Sequence, residues 1–342
     1  MTKTVYVIGA GASQEAGLPT GEELKNHISA LLNLKFAGHR DGRQSGDPLV
    51  VDALKEFIKT VPAGTVDIRE LHNCCRNISA GLSTSISIDN FLDNHRGEES
   101  LALCGKIGIV RAILLAERSS KLYSENPQST IEFSGLEESW YLQFFQLLTE
   151  NCHVDDLEDR FREVTLIIFN YDRCVERYLY FALINTYMIT SIRAQELLDF
   201  IKIYHPYGMI GVGDFDGIEF GGDPSPKQLL LLSSSIKTFT ESIDSDACDL
   251  KNLKLQVAQA KRLVFLGFAF HQRNIELIQP DQSQTSDRSM IDLYATGYEI
   301  SNPDCNVIEK NIKEAFGPGI NVNISSQCCY PFFKEFRRSL SF

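Results

Sequence analysis

The stretch KTVYVIGAGASQEAGLPTGEEL, residues 3–24, decides the fold. Its first part is a β-branched, apolar run of strand length that stops at Gly9. Its last part opens a helix. Thr20 is an N-cap candidate, Glu22 and Glu23 put acids in the first turn, and Leu24, Ile28, Leu31 and Leu32 recur at helical spacing. A glycine-rich turn between strand and helix offers backbone N–H groups at the positive end of a helix dipole, an arrangement suited to a pyrophosphate. Gly9 and Gly11 would let the backbone approach such a ligand with no Cβ in the way. A tight turn in an α/β protein that binds no nucleotide has the same local pattern, so the turn alone leaves both readings open.

Working outward, strand signals return at EVTLIIFNYD (163–172), IKIYHPYG (201–208), KRLVFLGFAF (261–270), MIDLYATGYEI (290–300) and GINVNISS (319–326). Helical patterns separate most of them, which predicts an α/β fold with a Rossmann-like, doubly wound, mainly parallel sheet. From about Val50 to Asn151 the chain reads instead as consecutive helices: VDALKEFIK, DIRELHNCCRNI, SIDNFLDNH, KIGIVRAILLAERSSKLY and SWYLQFFQLLTE. The expected organisation is a Rossmann-like domain over residues 1–40 and 160–342, with an inserted all-helical domain over 41–159. The polar, glycine-rich segment 37–48 is the expected boundary loop.

With Lys+Arg 33 against Asp+Glu 45, the net charge of -12 argues against wrapping nucleic acid, which needs clustered cations. The short basic cluster KEFRR (334–338) reads as a solvated helix end. No apolar stretch is long enough to span a bilayer, and the N-terminus shows no secretory pattern, so a cytoplasmic protein without membrane contact is expected. The nine cysteines include no Cys-x-x-Cys pair, so a zinc site of the paired-cysteine type is not expected, and with no metal spacing such as H-E-x-x-H no other metal site is expected either.

A dehydrogenase fits poorly. Gln14 stands where its fingerprint has a third glycine, and no second strand ending in Asp or Glu follows about twenty residues on. The loop GAGAS…AGLP, with Gly9, Ala10, Gly11, Ala12, Ser13, Gly17 and Pro19, instead resembles the cofactor loop of the sirtuin superfamily. FNYD (169–172) looks like that family's Asn-x-Asp motif. HPYG (205–208) resembles its His-Gly element, although two residues separate His205 from Gly208. LVFLGFAFHQRN (263–274), with Gly267 and Phe268, looks like the strand and loop that receive adenosine. The four motifs fall in family order and cover about the first 20 and last 180 residues.

Two departures refine the resemblance. The paired cysteines of the deacylases' zinc module are missing, and Gly21 and Glu22 replace the Phe-Arg that follows the loop proline. The helical segment with SIDNFL (87–92) is similar to that of the sirtuin-like NAD-hydrolysing effectors of bacterial anti-phage defence, including the type paired with a HerA-type hexameric ATPase. The resemblance implies NAD as substrate, a homo-oligomer and that ATPase as partner. It also implies roles: His205 and Asn170 as catalytic residues, with Gly9, Ala10, Gly11, Ala12, Ser13, Pro19, Asp172, Gly267 and Phe268 binding the dinucleotide.

The residue types fit that chemistry. A histidine takes a proton near neutral pH, and an amide both donates to and accepts from a water or ribose hydroxyl. Plainer roles remain open: a satisfied core histidine for His205, a turn residue capping the next helix for Asn170, and N-caps for Asp172 and Asp89. His271 fits a binding or a surface position equally. The expectation is an NAD glycohydrolase releasing nicotinamide and ADP-ribose. The alternatives are a non-catalytic nucleotide-sensing assembly module and, more weakly, an NAD-dependent deacylase.

Overall fold

A computed structural model of the chain describes residues 2–35, 45–125, 130–211, 217–239, 241, 247–281, 290–317 and 319–342. Residues 37–44 of the expected boundary loop lie outside them. Six strands form one sheet: β1 (Thr4–Ile8), β2 (Val164–Ile168), β3 (Lys202–Tyr204), β4 (Arg262–Leu266), β5 (Ile291–Thr296) and β6 (Ile320–Ser325). Their spatial order is β3-β2-β1-β4-β5-β6, and every neighbouring pair is parallel. This is the Rossmann-like, doubly wound order, whose winding reverses between β1 and β4.

The helices, in chain order, are α1 (Ala10–Ser13), α2 (Gly21–Leu32), α3 (Pro48–Thr60), α4 (Ile68–Gly81), α5 (Ile88–Asn94), α6 (Glu99–Ser119), α7 (Trp140–Thr149) and α8 (Leu157–Arg162). There follow α9 (Cys174–Tyr187), α10 (Ser191–Leu198), α11 (Pro226–Ser234), α12 (Ala247–Gln259), α13 (Gln272–Ile278), α14 (Asn302–Phe316), α15 (Cys329–Glu335) and α16 (Arg337–Leu340).

The central strands β1 and β2 are buried at every position, as strands covered on both faces must be. The edge strand β3 is short and partly exposed. Register shows how the faces are covered. Tyr6 lies opposite Leu166 and Val264, and Val7 lies opposite Ile167 and Phe265, so Tyr6 and Phe265 point to opposite faces. The Tyr6 ring meets Phe144 of α7 at 4.8 Å, and the Phe265 ring meets Phe316 of α14 at 6.3 Å. Helices therefore pack on both faces.

The chain divides into two compact units. One holds the sheet and comprises Met1–Gly17, Ser124–Pro206 and Ile243–Phe342; the other comprises Leu18–Tyr123 and Tyr207–Ser242. Within the second, α6 is buried around most of its circumference, and α2, α4 and α11 pack against it. Arg111 of α6 reaches Asp47 at 2.9 Å and Asp223 at 3.0 Å, while Asp47 also accepts from the N–H groups of Leu49 and Val50 and caps α3. Thr20 caps α2 as expected, in a reciprocal capping box with Glu23. Asp89 is not a cap: the Ser87 hydroxyl caps α5, and Asp89 sits in the first turn, where the dipole favours an acid.

This division differs from the expected boundaries for a physical reason. Residues 124–159 include α7, whose Trp140, Tyr141, Phe144 and Phe145 are buried within the sheet unit. Residues 207–242 include α11, which packs on α3 and α6. Apolar periodicity marks both helices as buried and does not say against what.

Candidate functional site

Four segments of the sheet unit end where the site begins. Gly9 directly follows β1, Asn170 follows β2 by two residues, and His205 and Gly267 directly follow β3 and β4. Parallel pairing brings these carboxyl ends side by side, and in doubly wound sheets ligands bind at that edge.

Asn170 is buried, and its Nδ2 donates to the Gly9 carbonyl at 3.1 Å and to Ser13 Oγ at 2.8 Å. A carbonyl only accepts, so Nδ2 must face Gly9 and the amide orientation is fixed. Ser13 passes its own proton on, donating to Asp172 Oδ2 at 2.9 Å. The other Asp172 oxygen, Oδ1, accepts from the Cys174 N–H at 3.0 Å and closes the first turn of α9. Asp172 is not the N-cap that was open to it, since Arg173 holds that position; it stands one residue before the cap, where it holds the Cys174 N–H and Ser13. Asn170 does not cap the helix, and its Oδ1 is buried without a hydrogen-bond partner. Burial pushes the Asp172 carboxyl above the ordinary carboxylate range, against the Cys174 and Ser13 hydrogen bonds that hold it down.

His205 Nε2 lies 2.7 Å from Glu176 Oε1, and its Nδ1 lies 3.4 Å from the Asn170 carbonyl oxygen. Burial draws the imidazole pKa down. The Glu176 charge and hydrogen bond, the Asn170 carbonyl and the Asp172 charge outweigh it, and His205 is held above its ordinary value. Glu176 was not singled out from sequence. Its only signal is an acid in the first turn of the helix after FNYD, one turn beyond Asp172.

The glycine-rich turn is closed by protein rather than left open. The N–H of Gly9 donates to Leu266 O at 2.9 Å, that of Gly11 to Gly267 O at 3.0 Å, and that of Ala12 to Gly9 O at 3.0 Å. A Cβ on Gly9 would stand 2.5 Å from Gly267 O, and one on Gly11 would stand 3.1 Å from Gly267 Cα. The β4 turn pressed against them is by itself a packing reason for both glycines. Ala10 is half-buried beside them. Phe268 is buried among Phe169, Phe265 and Phe270 at 5.2–5.4 Å and lines the β4 turn rather than an open surface. Pro19 falls in the helical unit, just before the cap of α2, and His271 is exposed at the start of α13.

Beneath the turn, Glu15 ties two helices to it, accepting from the Trp140 N–H of α7 and from the Tyr330 N–H of α15, each at 2.7 Å. The Trp140 indole N–H donates to the Ala12 carbonyl at 2.7 Å, with the ring fully buried. Trp140→Phe removes that donor, and an expected loss of about 1–3 kcal/mol should appear as a lower urea midpoint. An unchanged midpoint would show that the indole bond holds nothing.

Fold and site together define a Rossmann-like α/β protein with a buried polar chain at the carboxyl ends of β1, β2 and β3. No protein-family model and no curated protein matches the chain. Among the described residues no helix is long and apolar enough to cross a membrane. Among them, too, no group of three or more His, Cys, Asp or Glu is placed to hold a metal ion.

Proposed function

We propose that this chain hydrolyses NAD at the bond between nicotinamide and ribose. The observation that carries the reading is the pairing of Asn170 with His205: an amide locked with its oxygen unpartnered, beside a histidine whose Nδ1 lies 3.4 Å from that residue's own carbonyl. Cleavage requires an oxygen nucleophile aimed at C1′, a proton acceptor for it, and stabilisation of an oxocarbenium-like ribose. Asn170 Oδ1 would accept a hydrogen bond from the water or ribose hydroxyl and fix its direction. His205 would take the proton. Ser13, itself held by Asp172, keeps the amide in place, and the likeness gives Asp172 the contact to the nicotinamide carboxamide.

The sirtuin-like motifs and their order support NAD as the substrate, and the doubly wound sheet supports a dinucleotide at this edge. The same likeness supports a defence effector that depletes NAD, works as a homo-oligomer in the cytoplasm and is gated by a HerA-type ATPase. Incubating the pure protein with NAD and separating the products should reveal free nicotinamide. If neither the chain alone nor its complex with the ATPase releases any, the enzyme reading falls.

One observation favours the second reading, a nucleotide-sensing assembly module. The N–H groups of Gly9, Gly11 and Ala12 and both ring nitrogens of His205 already have partners within the chain. A protein that binds NAD and assembles, yet leaves NAD intact, would establish that role.

A further inference from the structure

We propose that Glu176 is a positioning residue for His205: its carboxylate holds the hydrogen on Nε2 and leaves Nδ1 as the nitrogen that accepts the proton. The inference rests on the NAD-hydrolysing reading and adds to it the tautomer of the base and the residue that sets it.

The geometry distinguishes the two ring nitrogens. Nε2 meets Glu176 Oε1 at 2.7 Å, the length of a strong, charge-assisted hydrogen bond. Nδ1 meets the Asn170 carbonyl at 3.4 Å, the longer and weaker of the two contacts. In the opposite tautomer an Nε2 lone pair would face a carboxylate oxygen at close range, which electrostatics forbids. The side chains of His205 and Glu176 are only 8% and 22% exposed, so water screens the pair weakly. Glu176 is itself held, because it sits in the first turn of α9 and Asp172 fixes that turn through the Cys174 N–H. Its second oxygen, Oε2, is buried without a partner, so its strong hydrogen bond is the one to His205.

The proton balance needs no further reagent. The nucleophile's O–H bond breaks, and its proton bonds to Nδ1. The oxygen's electron pair forms the bond to C1′, and the C1′–N pair leaves with nicotinamide, which becomes neutral. The resulting imidazolium donates to Glu176 from Nε2 and to the Asn170 carbonyl from Nδ1. This is the orienting role that a buried carboxylate plays beside a catalytic histidine.

The groups facing His205 are Glu176 on α9, Asp172 in the turn before it and the Asn170 carbonyl. A base acts only when neutral, and His205 is raised above 6.5, so wild-type kcat/KM should rise with pH through that raised value. Glu176→Gln keeps the shape and removes the charge. It should lower the plateau by roughly 10²–10⁴-fold and move the acidic limb to lower pH. Glu176→Asp keeps the charge on a shorter arm and should recover part of the plateau and the wild-type limb. A lower plateau with an unmoved limb would mark Glu176 as merely structural.

A second measurement does not need turnover. NMR titration of the imidazole signals in the full chain, with His205 assigned by its loss in His205→Ala, should show His205 titrating at lower pH in Glu176→Gln than in wild type. Unchanged titration overturns the inference whatever the activity. A shifted titration in a protein that never releases nicotinamide overturns the functional reading, and with it the catalytic use of the pair.

Discussion

Gly267→Ala should leave little folded protein. Gly267 sits at φ +54°, in the left-handed region, and a Cβ there would lie 2.0 Å from the Ala12 nitrogen and 2.4 Å from the Gly11 carbonyl carbon. Both neighbours are backbone atoms and cannot rotate away. The turn cannot shift as a whole either, because the Gly267 N–H donates to Thr296 Oγ1 at 2.8 Å and its carbonyl accepts from Gly11 at 3.0 Å. Left-handed backbone alone costs an alanine about 1–2 kcal/mol. With the clash added, the total should exceed about 4 kcal/mol, a large share of the roughly 5–15 kcal/mol that a domain has. Urea denaturation and soluble yield would check this. Gly9→Ala should fail in the same direction through its 2.5 Å approach to Gly267 O, and Gly11→Ala should be milder at 3.1 Å. Wild-type stability in Gly267→Ala would contradict the account of the turn.

His205→Ala should lose nearly all nicotinamide release. Removing a general base typically costs 10²–10⁴-fold, about 3–5 kcal/mol of transition-state stabilisation. The fold should survive, since His205 follows an edge strand and is held by Glu176 and one carbonyl. NAD affinity should fall less than kcat, because the likeness to sirtuins assigns the dinucleotide to Gly9–Ser13, Gly267 and Phe268 rather than to His205. Asn170→Ala should lose a similar factor in kcat and also about 1–3 kcal/mol of stability, since the Gly9 carbonyl and Ser13 hydroxyl lose their shared donor. Measuring kcat beside an unfolding curve separates the two effects. Turnover at the wild-type rate in His205→Ala would show that another group accepts the proton.

Much of the fold is legible along the chain. The strands TVYVI and VTLII are continuous apolar runs, which is what burial on both faces demands, and Thr20 with Glu23 announces the start of α2. The strand order is not legible, because it depends on pairings between segments far apart in sequence. The unit boundaries are not legible for the same reason: α7 reads as a buried helix, and it is its contacts in space, such as Phe144 against Tyr6 of β1, that put it with the sheet.

The site divides likewise. Asn170, Asp172 and His205 stand at strand ends that apolar patterning locates. Glu176 does not, since its partner lies 29 residues away and the two meet only because β2 and β3 pair in parallel. The glycine turn was legible as a turn, but its reason was not. Nothing local to GAGAS says that Gly267 of a distant strand will press against it.

The central claim is hydrolysis of NAD by an oxygen nucleophile at C1′, and the origin of that oxygen tests it most directly. The wild-type protein is incubated with NAD in heavy-oxygen water and the products are weighed by mass spectrometry. The account predicts free nicotinamide together with ADP-ribose carrying one heavy oxygen, and neither product from His205→Ala. Intact NAD after incubation, or equal product from His205→Ala, would contradict it.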